Sequence, residues 1–271
     1  MASSRASRSS ASPQGPRPAH SVSHADLNAG YASLSSRPWH VLLFLLPLIA
    51  AYEVGLILYL SGAKGVGDIS ARTILRGLFD AFGPSSLHLP AIVLLVVLLL
   101  WHLIERGSWR VRPAVLGLMW LESFVWALPL LVLGAVVMSR PVAQPMAMAD
   151  GTAALAQLPW QAKLTISIGA GLYEELVFRL VLITLIHLVI VDVLRLQSQA
   201  GYVVGAVVSA VLFALYHNVQ HPGGGADMRL LAFYSIAGLY FAFLFAWRGF
   251  GIVVAAHAIY DAIVLLSVRS S

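Results

Sequence analysis

Membrane-length apolar segments constrain the fold of this 271-residue chain more than any other feature. About twenty apolar residues span a bilayer as a helix. The chain is 59% hydrophobic and only 11% charged, whereas a soluble domain has about 45–50% apolar and about 25% charged residues. We therefore predict an all-α, polytopic membrane helix bundle of seven or eight transmembrane helices. The predicted spans are His40–Leu60, Leu87–Ile104, Ala114–Met138, Lys163–Leu194, Ala200–Gln220, Arg229–Trp247 and Gly249–Val268.

The length of the fourth segment leaves two possibilities open. Lys163–Leu194 is too long for one untilted span, so we expect either a long tilted helix or a break into two helices. A further segment, Val66–Phe82, has helical spacing and contains Arg72, Arg76 and Asp80. It is predicted to be an amphipathic helix at the membrane interface.

The first 37 residues are rich in Ser, Ala, Arg and Pro and have few bulky apolar side chains. Such a composition cannot bury enough surface to fold alone. Abundant Arg and Ser with few acids is also typical of an organelle transit peptide, but Pro13, Pro16 and Pro18 disfavour the helix that such a peptide forms. We predict a disordered polar tail over residues 1–37, N-terminal transmembrane helices over 38–162 and a second transmembrane region, the core, over 163–271.

The net charge of +5 does not indicate nucleic-acid binding. Most basic residues lie in the tail and in short loops beside apolar segments, where they set topology and contact anionic lipid. Membrane lipid is therefore the expected partner, and nucleic acid is not. Cysteine is absent, which excludes disulfides, thiolate metal ligands and a Cys nucleophile.

Three charged residues interrupt the fourth apolar segment: Glu174, Glu175 and Arg179. Each charge inside a membrane helix costs roughly 2.5–3.5 kcal/mol on insertion scales, and such residues are functional candidates by default. Glu175 and Arg179 stand at i and i+4 with the acid first, the favourable order for a helical ion pair. Glu174 lies about 100° around the helix, so it lacks a local partner and is a candidate general base. The competing interpretation is a structural salt bridge between helices.

A histidine near the end of the fifth segment is a candidate partner for these glutamates. His217 follows Phe213 by one turn, so the phenyl ring is expected to pack beside the imidazole. Taken alone, His217 also fits an interfacial histidine wetted by headgroups. His221 comes one turn later, beside Pro222 at the expected water boundary. Two histidines at this spacing share a helix face, as metal sites require.

The last segment contains a second polar pair, His257 and Asp261, again at i and i+4. Such an Asp can accept the ring N–H of the His and fix its tautomer. The competing interpretation is a buried pair that satisfies only itself. Because the polar groups lie on three different apolar segments, a bundle that gathers them would form a hydrolytic centre in a water-filled cavity. We predict that Glu174, His217 and His257 converge within the reach of one bridging water.

The ordered set Glu-Glu-x-x-x-Arg, Phe-x-x-x-His and His-x-x-x-Asp resembles the motifs of the CPBP family. These are CAAX-protease and bacteriocin-processing membrane proteins related to the type II CAAX prenyl endopeptidase. The resemblance covers roughly Ile168–Val264 and implies an intramembrane endopeptidase with an all-helical bundle. By position it implies catalytic roles for Glu174, His217, His257 and Asp261, supported by Glu175, Arg179 and Phe213.

In the prenyl endopeptidase the last pair is His and Asn, interpreted as stabilising the oxyanion, whereas this chain has Asp261. An ionised Asp cannot donate a hydrogen bond to an oxyanion. Either His257 donates alone and Asp261 orients it, or Asp261 carries a proton. The resemblance implies a water activated by Glu174 and His217 without a cofactor. The alternative is a zinc site that recruits His221 or Asp261 as third ligand.

The expected substrate is a membrane-associated peptide or protein, of which prenylated CAAX proteins are one class. The alternatives are a peptide-toxin immunity protein and a non-catalytic membrane scaffold whose polar cluster only holds helices together. An ion or proton carrier would need an acidic relay across the bilayer, and apart from Glu53 and Glu122 the apolar segments contain too few further acids. We place the protein in the bacterial cytoplasmic membrane as an integral, multi-pass protein.

Overall fold

A helical bundle forms the part of the chain that this computed structural model describes, which is residues 30–60, 88–138, 157–217, 219 and 225–267. These ranges contain eight helices and no strand. Six of the helices are long and apolar enough to cross a membrane, which confirms the predicted polytopic membrane fold. The helices are α1 (Tyr31–Ser35), α2 (Pro38–Leu60), α3 (Leu89–Glu105), α4 (Pro113–Met138), α5 (Trp160–Val193), α6 (Ser198–Tyr216), α7 (Met228–Arg248) and α8 (Phe250–Ser267).

Three helices differ in length from the predicted spans. The second predicted span corresponds to α3, which has 17 residues and is the shortest of the apolar helices. The fourth does not break: α5 is one helix of 34 residues, about 51 Å long at 1.5 Å per residue. Two stretches of α5, Leu176–Ile183 and Val189–Val193, are π-helical. The fifth predicted span is too long, because α6 ends at Tyr216 and not at Gln220.

The boundary predicted for the N-terminal tail is wrong, because the chain is already folded from Tyr31. In α1, Leu34 and Ser35 are buried, and the Tyr31 hydroxyl donates to the Glu122 carboxylate of α4. Burial and that carboxylate raise the pKa of Tyr31, so the phenol stays a donor. Arg248 of α7 donates to the same carboxylate, with 2.7 Å between Nη2 and Oε2. Residues 1–29 of the predicted tail and the predicted helix at 66–82 lie outside the described residues.

Helix α8 lies at the centre of the bundle, where it packs against α5, α4, α7 and α2. Nearly all of its residues are buried. It packs tightly against α5 at Gly171, where a Cβ would lie 2.6 Å from the Val254 carbonyl oxygen and 2.8 Å from the Ala258 Cβ. Small residues permit such close packing between membrane helices. This contact brings Glu174 and Glu175, one turn further along α5, to the level of α8.

Helix α6 packs against α7 and against the π-helical part of α5. A Cβ at Gly238 of α7 would lie only 2.9 Å from the Ala210 Cα of α6. The Ser209 hydroxyl of α6 donates to the Phe178 carbonyl of α5 at 2.9 Å. Phe178 lies in the π-helical stretch of α5, and a side chain from another helix can bond to a backbone carbonyl where the regular α-helical hydrogen bonds are interrupted. The three helices are thus held together around the residues that follow Glu175.

We predict that Gly171→Ala destabilises the protein. In an ordinary helix interior this change would stabilise by up to about 1 kcal/mol, but here the new methyl would overlap backbone atoms of α8. The matched control is Gly117→Ala in α4, where a Cβ would find no atom within 4 Å. Thermal unfolding in detergent should show a lower Tm for Gly171→Ala than for the control. Equal Tm values would contradict the close approach of α5 and α8.

Candidate active site

Polar side chains from three segments converge at one level of the bundle. Glu174 lies on α5, His217 directly follows α6, and His257 lies on α8. The Glu174 Oε2 is 3.7 Å from the His217 Nε2 and 3.9 Å from the His257 Nε2. These distances are too long for direct hydrogen bonds and suit one bridging water. All three side chains are buried, and the predicted convergence is confirmed.

The adjacent Glu175 points to a different set of partners. Its Oε1 accepts from the Arg179 Nη1 at 2.9 Å and from the His257 Nδ1 at 2.7 Å. The predicted ion pair between Glu175 and Arg179 is therefore confirmed, and both side chains are fully buried. Arg179 also donates from Nη2 to the Gly238 carbonyl of α7 at 3.3 Å. One carboxylate thus joins α5 to α8, and its Arg partner joins α5 to α7.

The orientation of His257 comes from Glu175. A carboxylate can only accept, so Nδ1 of His257 donates to it, and Nε2 is left facing Glu174 and Asp261. The Asp261 Oδ2 lies 3.6 Å from that Nε2, beyond hydrogen-bond distance. The interpretation in which Asp261 accepts the ring N–H and orients His257 is therefore corrected: Glu175 does so from a neighbouring helix.

His217 is held by the end of its own helix. It is the first residue after α6 and has extended backbone angles. Its Nδ1 donates to the Phe213 carbonyl at 2.7 Å, one of the last four carbonyls of the helix, which lack a partner further along the chain. This tautomer leaves Nε2 as an acceptor that faces Glu174. The Phe213 ring lies 4.6 Å from the imidazole, as predicted.

Aromatic rings of α7 cover both imidazoles. Tyr234 stacks on His217 with 4.1 Å between ring centroids and 18° between planes. Phe241 stacks on His257 at 4.5 Å and 22°. Neither aromatic residue is recognisable in the sequence, because an aromatic residue inside an apolar span looks like any other core residue.

Several buried polar atoms at this site make no hydrogen bond with the part of the chain that the structure describes. They are the Glu174 Oε2, the His257 Nε2 and both carboxyl oxygens of Asp261. Buried polar groups normally have partners. The Glu174 Oε2 and the Asp261 Oδ2 lie 3.9 and 3.6 Å from the His257 Nε2, a grouping that is suited to a reactant. Within the described ranges no set of three or more His, Cys, Asp or Glu side chains is arranged to hold a metal ion. His221 lies outside these ranges.

Comparison with family models gives one match. Residues 156–263 match the model described as type II CAAX prenyl endopeptidase Rce1-like. All the predicted site residues lie inside the matched range, and the resemblance inferred from the three motifs is confirmed. Comparison with curated proteins and with solved structures gave no match.

We predict that the two glutamates differ in what they contribute to stability. Glu175→Gln leaves the Arg179 guanidinium buried without an anion, and breaking a buried ion pair in this way costs about 3–5 kcal/mol. Glu174→Gln should unfold close to the wild-type temperature, because among the described residues the Glu174 carboxylate has its His217 and His257 neighbours at 3.7 and 3.9 Å and no hydrogen bond. Thermal unfolding of both variants in one detergent tests this. A similar loss of stability in both would make Glu174 a structural residue.

Proposed function

We propose that this chain, which carries a domain of the type II CAAX prenyl endopeptidase Rce1-like family, is an intramembrane endopeptidase that cleaves a membrane-associated peptide or protein. At the level of the family, the match supports a CAAX-type membrane protease, and six of the described helices are long and apolar enough to cross a membrane. The finer proposal is carried by one observation. A single buried oxygen of Glu174 stands 3.7 and 3.9 Å from the Nε2 atoms of two imidazoles that come from different helices.

The first step is activation of a water between Glu174 and His217. Glu174 takes one proton from the water, while Nε2 of His217 accepts a hydrogen bond from the other and aims the oxygen lone pair. The tautomer of His217 suits this role, because its Nδ1 proton is already donated to the Phe213 carbonyl. His217 therefore acts in its neutral form.

The water oxygen then bonds to the scissile carbonyl carbon, and the carbonyl oxygen becomes an oxyanion. His257 donates to that oxyanion from Nε2. The ring carries a proton on both nitrogens for this purpose, and the Glu175 carboxylate at 2.7 Å from Nδ1 stabilises the cation. When the C–N bond breaks, Glu174 gives its proton to the leaving amine and returns to the carboxylate form.

Asp261 supplies a second hydrogen bond to the oxyanion. Glu175 already orients His257, so Asp261 is not needed for that purpose. Three carboxyl groups surround His257, whereas Arg179 and the protonated imidazole supply only two positive charges. A buried, uncompensated charge is costly. A proton on Asp261 removes that charge and makes the group a donor, as the amide of an Asn would be.

Two non-catalytic functions compete with this proposal, a peptide-toxin immunity protein and a membrane scaffold. In both, the polar cluster only holds helices together, and removing the Glu174 charge would have no effect on any peptide. The bacterial cytoplasmic membrane remains the proposed location.

We predict that Glu174→Gln abolishes peptide cleavage while the protein stays folded. A positioned general base contributes about 100- to 10,000-fold to the rate, and glutamine keeps the shape while it removes the base. The assay uses purified protein in liposomes with membrane-anchored peptide libraries, prenylated and unprenylated, and detects products by mass spectrometry. The control is Glu105→Gln at the exposed end of α3.

The same assay separates the alternatives. Cleavage by Glu174→Gln at the wild-type rate would contradict the proposal, as would the absence of any cleavage by the wild type. A strong chelator should leave the rate unchanged if glutamate activates the water. Loss of activity on chelation, restored by added zinc, would instead indicate a metal-activated water.

We also predict opposite outcomes for two changes at Asp261. Asp261→Asn should keep most of the cleavage rate, because the amide N–H₂ replaces the carboxyl O–H as donor. Asp261→Leu, of similar size, should lose roughly 100-fold or more, the usual cost of removing one oxyanion donor. Steady-state rates of both folded variants test this. If Asp261→Asn were as inactive as Asp261→Leu, Asp261 would have to act as an anion.

A further inference from the structure

One face of α7 contacts three different parts of the candidate active site. Tyr234, Gly238 and Phe241 stand at i, i+4 and i+7, which places them on the same side of a helix. Tyr234 stacks on His217, the Gly238 carbonyl accepts from Arg179, and Phe241 stacks on His257. We call these three residues the α7 stripe. None of the three sequence motifs lies on α7.

The stripe is buried, whereas the opposite side of the same helix is exposed. Tyr234 is 1% exposed and Phe241 is 0% exposed. Leu239 and Phe243, two residues away along the chain, are 46% and 56% exposed. The inner face of α7 therefore contacts the site, whereas the exposed outer face provides matched control positions on the same helix.

Each imidazole needs a second restraint beyond its hydrogen bond. The His217 and His257 rings are each held through Nδ1, but one bond leaves the ring free to tilt about it, because the outer torsion of a His side chain is broad. A stacked aromatic ring fixes the plane of the imidazole. With Tyr234 and Phe241 in place, the two Nε2 atoms stay directed at Glu174.

Gly238 sets the distance of the stripe from the other helices. Its lack of a side chain allows α7 to approach Ala210 of α6, where a Cβ would be 2.9 Å from the Cα. Its carbonyl accepts from Arg179 at 3.3 Å. The Phe241 ring also lies 5.2 Å from the Arg179 Cζ, within the range of a cation–π contact.

We propose that Tyr234 and Phe241 are positioning residues, which set the ring planes of His217 and His257 so that both Nε2 atoms face Glu174. The chemistry they serve rests on the proposed function, but the restraint on the rings does not. Both stacking rings belong to the same helix, so their positions relative to each other are fixed. A shift of α7 would therefore misalign both imidazoles together.

The test combines histidine NMR with kinetics on the full-length protein in detergent micelles. Isotope-labelled histidine reports the imidazoles, and the variants His217→Gln and His257→Gln assign their two signals by loss. Tyr234→Leu should shift the His217 ring signals, because the ring current of the stacked phenol is removed, and leave the His257 signals in place. Phe241→Leu should do the reverse. The control Phe243→Leu should move neither.

Cleavage of the membrane-anchored peptides should change in parallel. Misplacing a reacting group by about 1 Å can cost roughly 100-fold, so Tyr234→Leu should lower kcat by about 10- to 100-fold with KM within about twofold. Tyr234→Phe keeps the ring and should keep both the NMR signals and kcat. Thermal unfolding of all variants shows whether the lower kcat of Tyr234→Leu comes instead from a general loss of stability.

Three outcomes would overturn the proposal. The first is unmoved His217 signals in Tyr234→Leu, and the second is a kcat for Tyr234→Leu equal to that of Phe243→Leu. The third is a Tyr234→Phe variant as impaired as Tyr234→Leu, which would assign the effect to the hydroxyl. If the wild-type protein cleaves no peptide, the proposed function fails, and the NMR comparison alone decides whether the α7 stripe holds the two rings.

Discussion

The Glu175 carboxylate, shared by Arg179 and His257, is the interaction on which the rest of the site depends. Its two partners arrive from its own helix and from α8, at 2.9 and 2.7 Å. A second helix can reach this carboxylate only where the two backbones approach closely, and Gly171 provides that approach one turn earlier. Electrostatics and packing are therefore coupled. The carboxylate balances the charge of the buried Arg179 guanidinium. It also accepts from Nδ1 of His257, so that Nε2 is the nitrogen that faces Glu174.

Two adjacent residues of the same type acquire opposite properties at this site. Glu175 is fixed between two donors, whereas the Nε2 atoms of His217 and His257 lie 3.7 and 3.9 Å from Glu174. The difference follows from the helical step of about 100° between neighbours, which sends one carboxylate to the α5–α8 contact and the other towards His217. Arg179 pairs with Glu175 and not with Glu174, which is why we propose Glu174 as the general base.

The sequence predicted most of this architecture, because lipid allows few alternatives. Spanning segments must be helical, and charges within them stand out, so Glu174, His217 and His257 were recognisable before their geometry was known. The contact between Glu175 and His257 was not predictable, since i,i+4 spacing favoured Asp261 and the choice of partner depends on helix packing. Tyr234 and Phe241 carry no such signal. The helix at Tyr31–Ser35 was not predicted, because five residues with one buried Leu are too short a pattern to be distinguished from the polar sequence before them.

The end of α6 shows how fold and chemistry are joined. His217 is the residue at which the backbone leaves the helix, and its Nδ1 donates to Phe213, a carbonyl of the last turn that would otherwise need another partner. The bond that completes the helix end is thus the bond that fixes the imidazole tautomer. If α6 ended one residue later or earlier, the residue that follows its end would point in a direction about 100° different around the helix axis. The His217 imidazole would then no longer face Tyr234 and Glu174. The length of a membrane helix therefore determines here which nitrogen of the His217 imidazole faces Glu174.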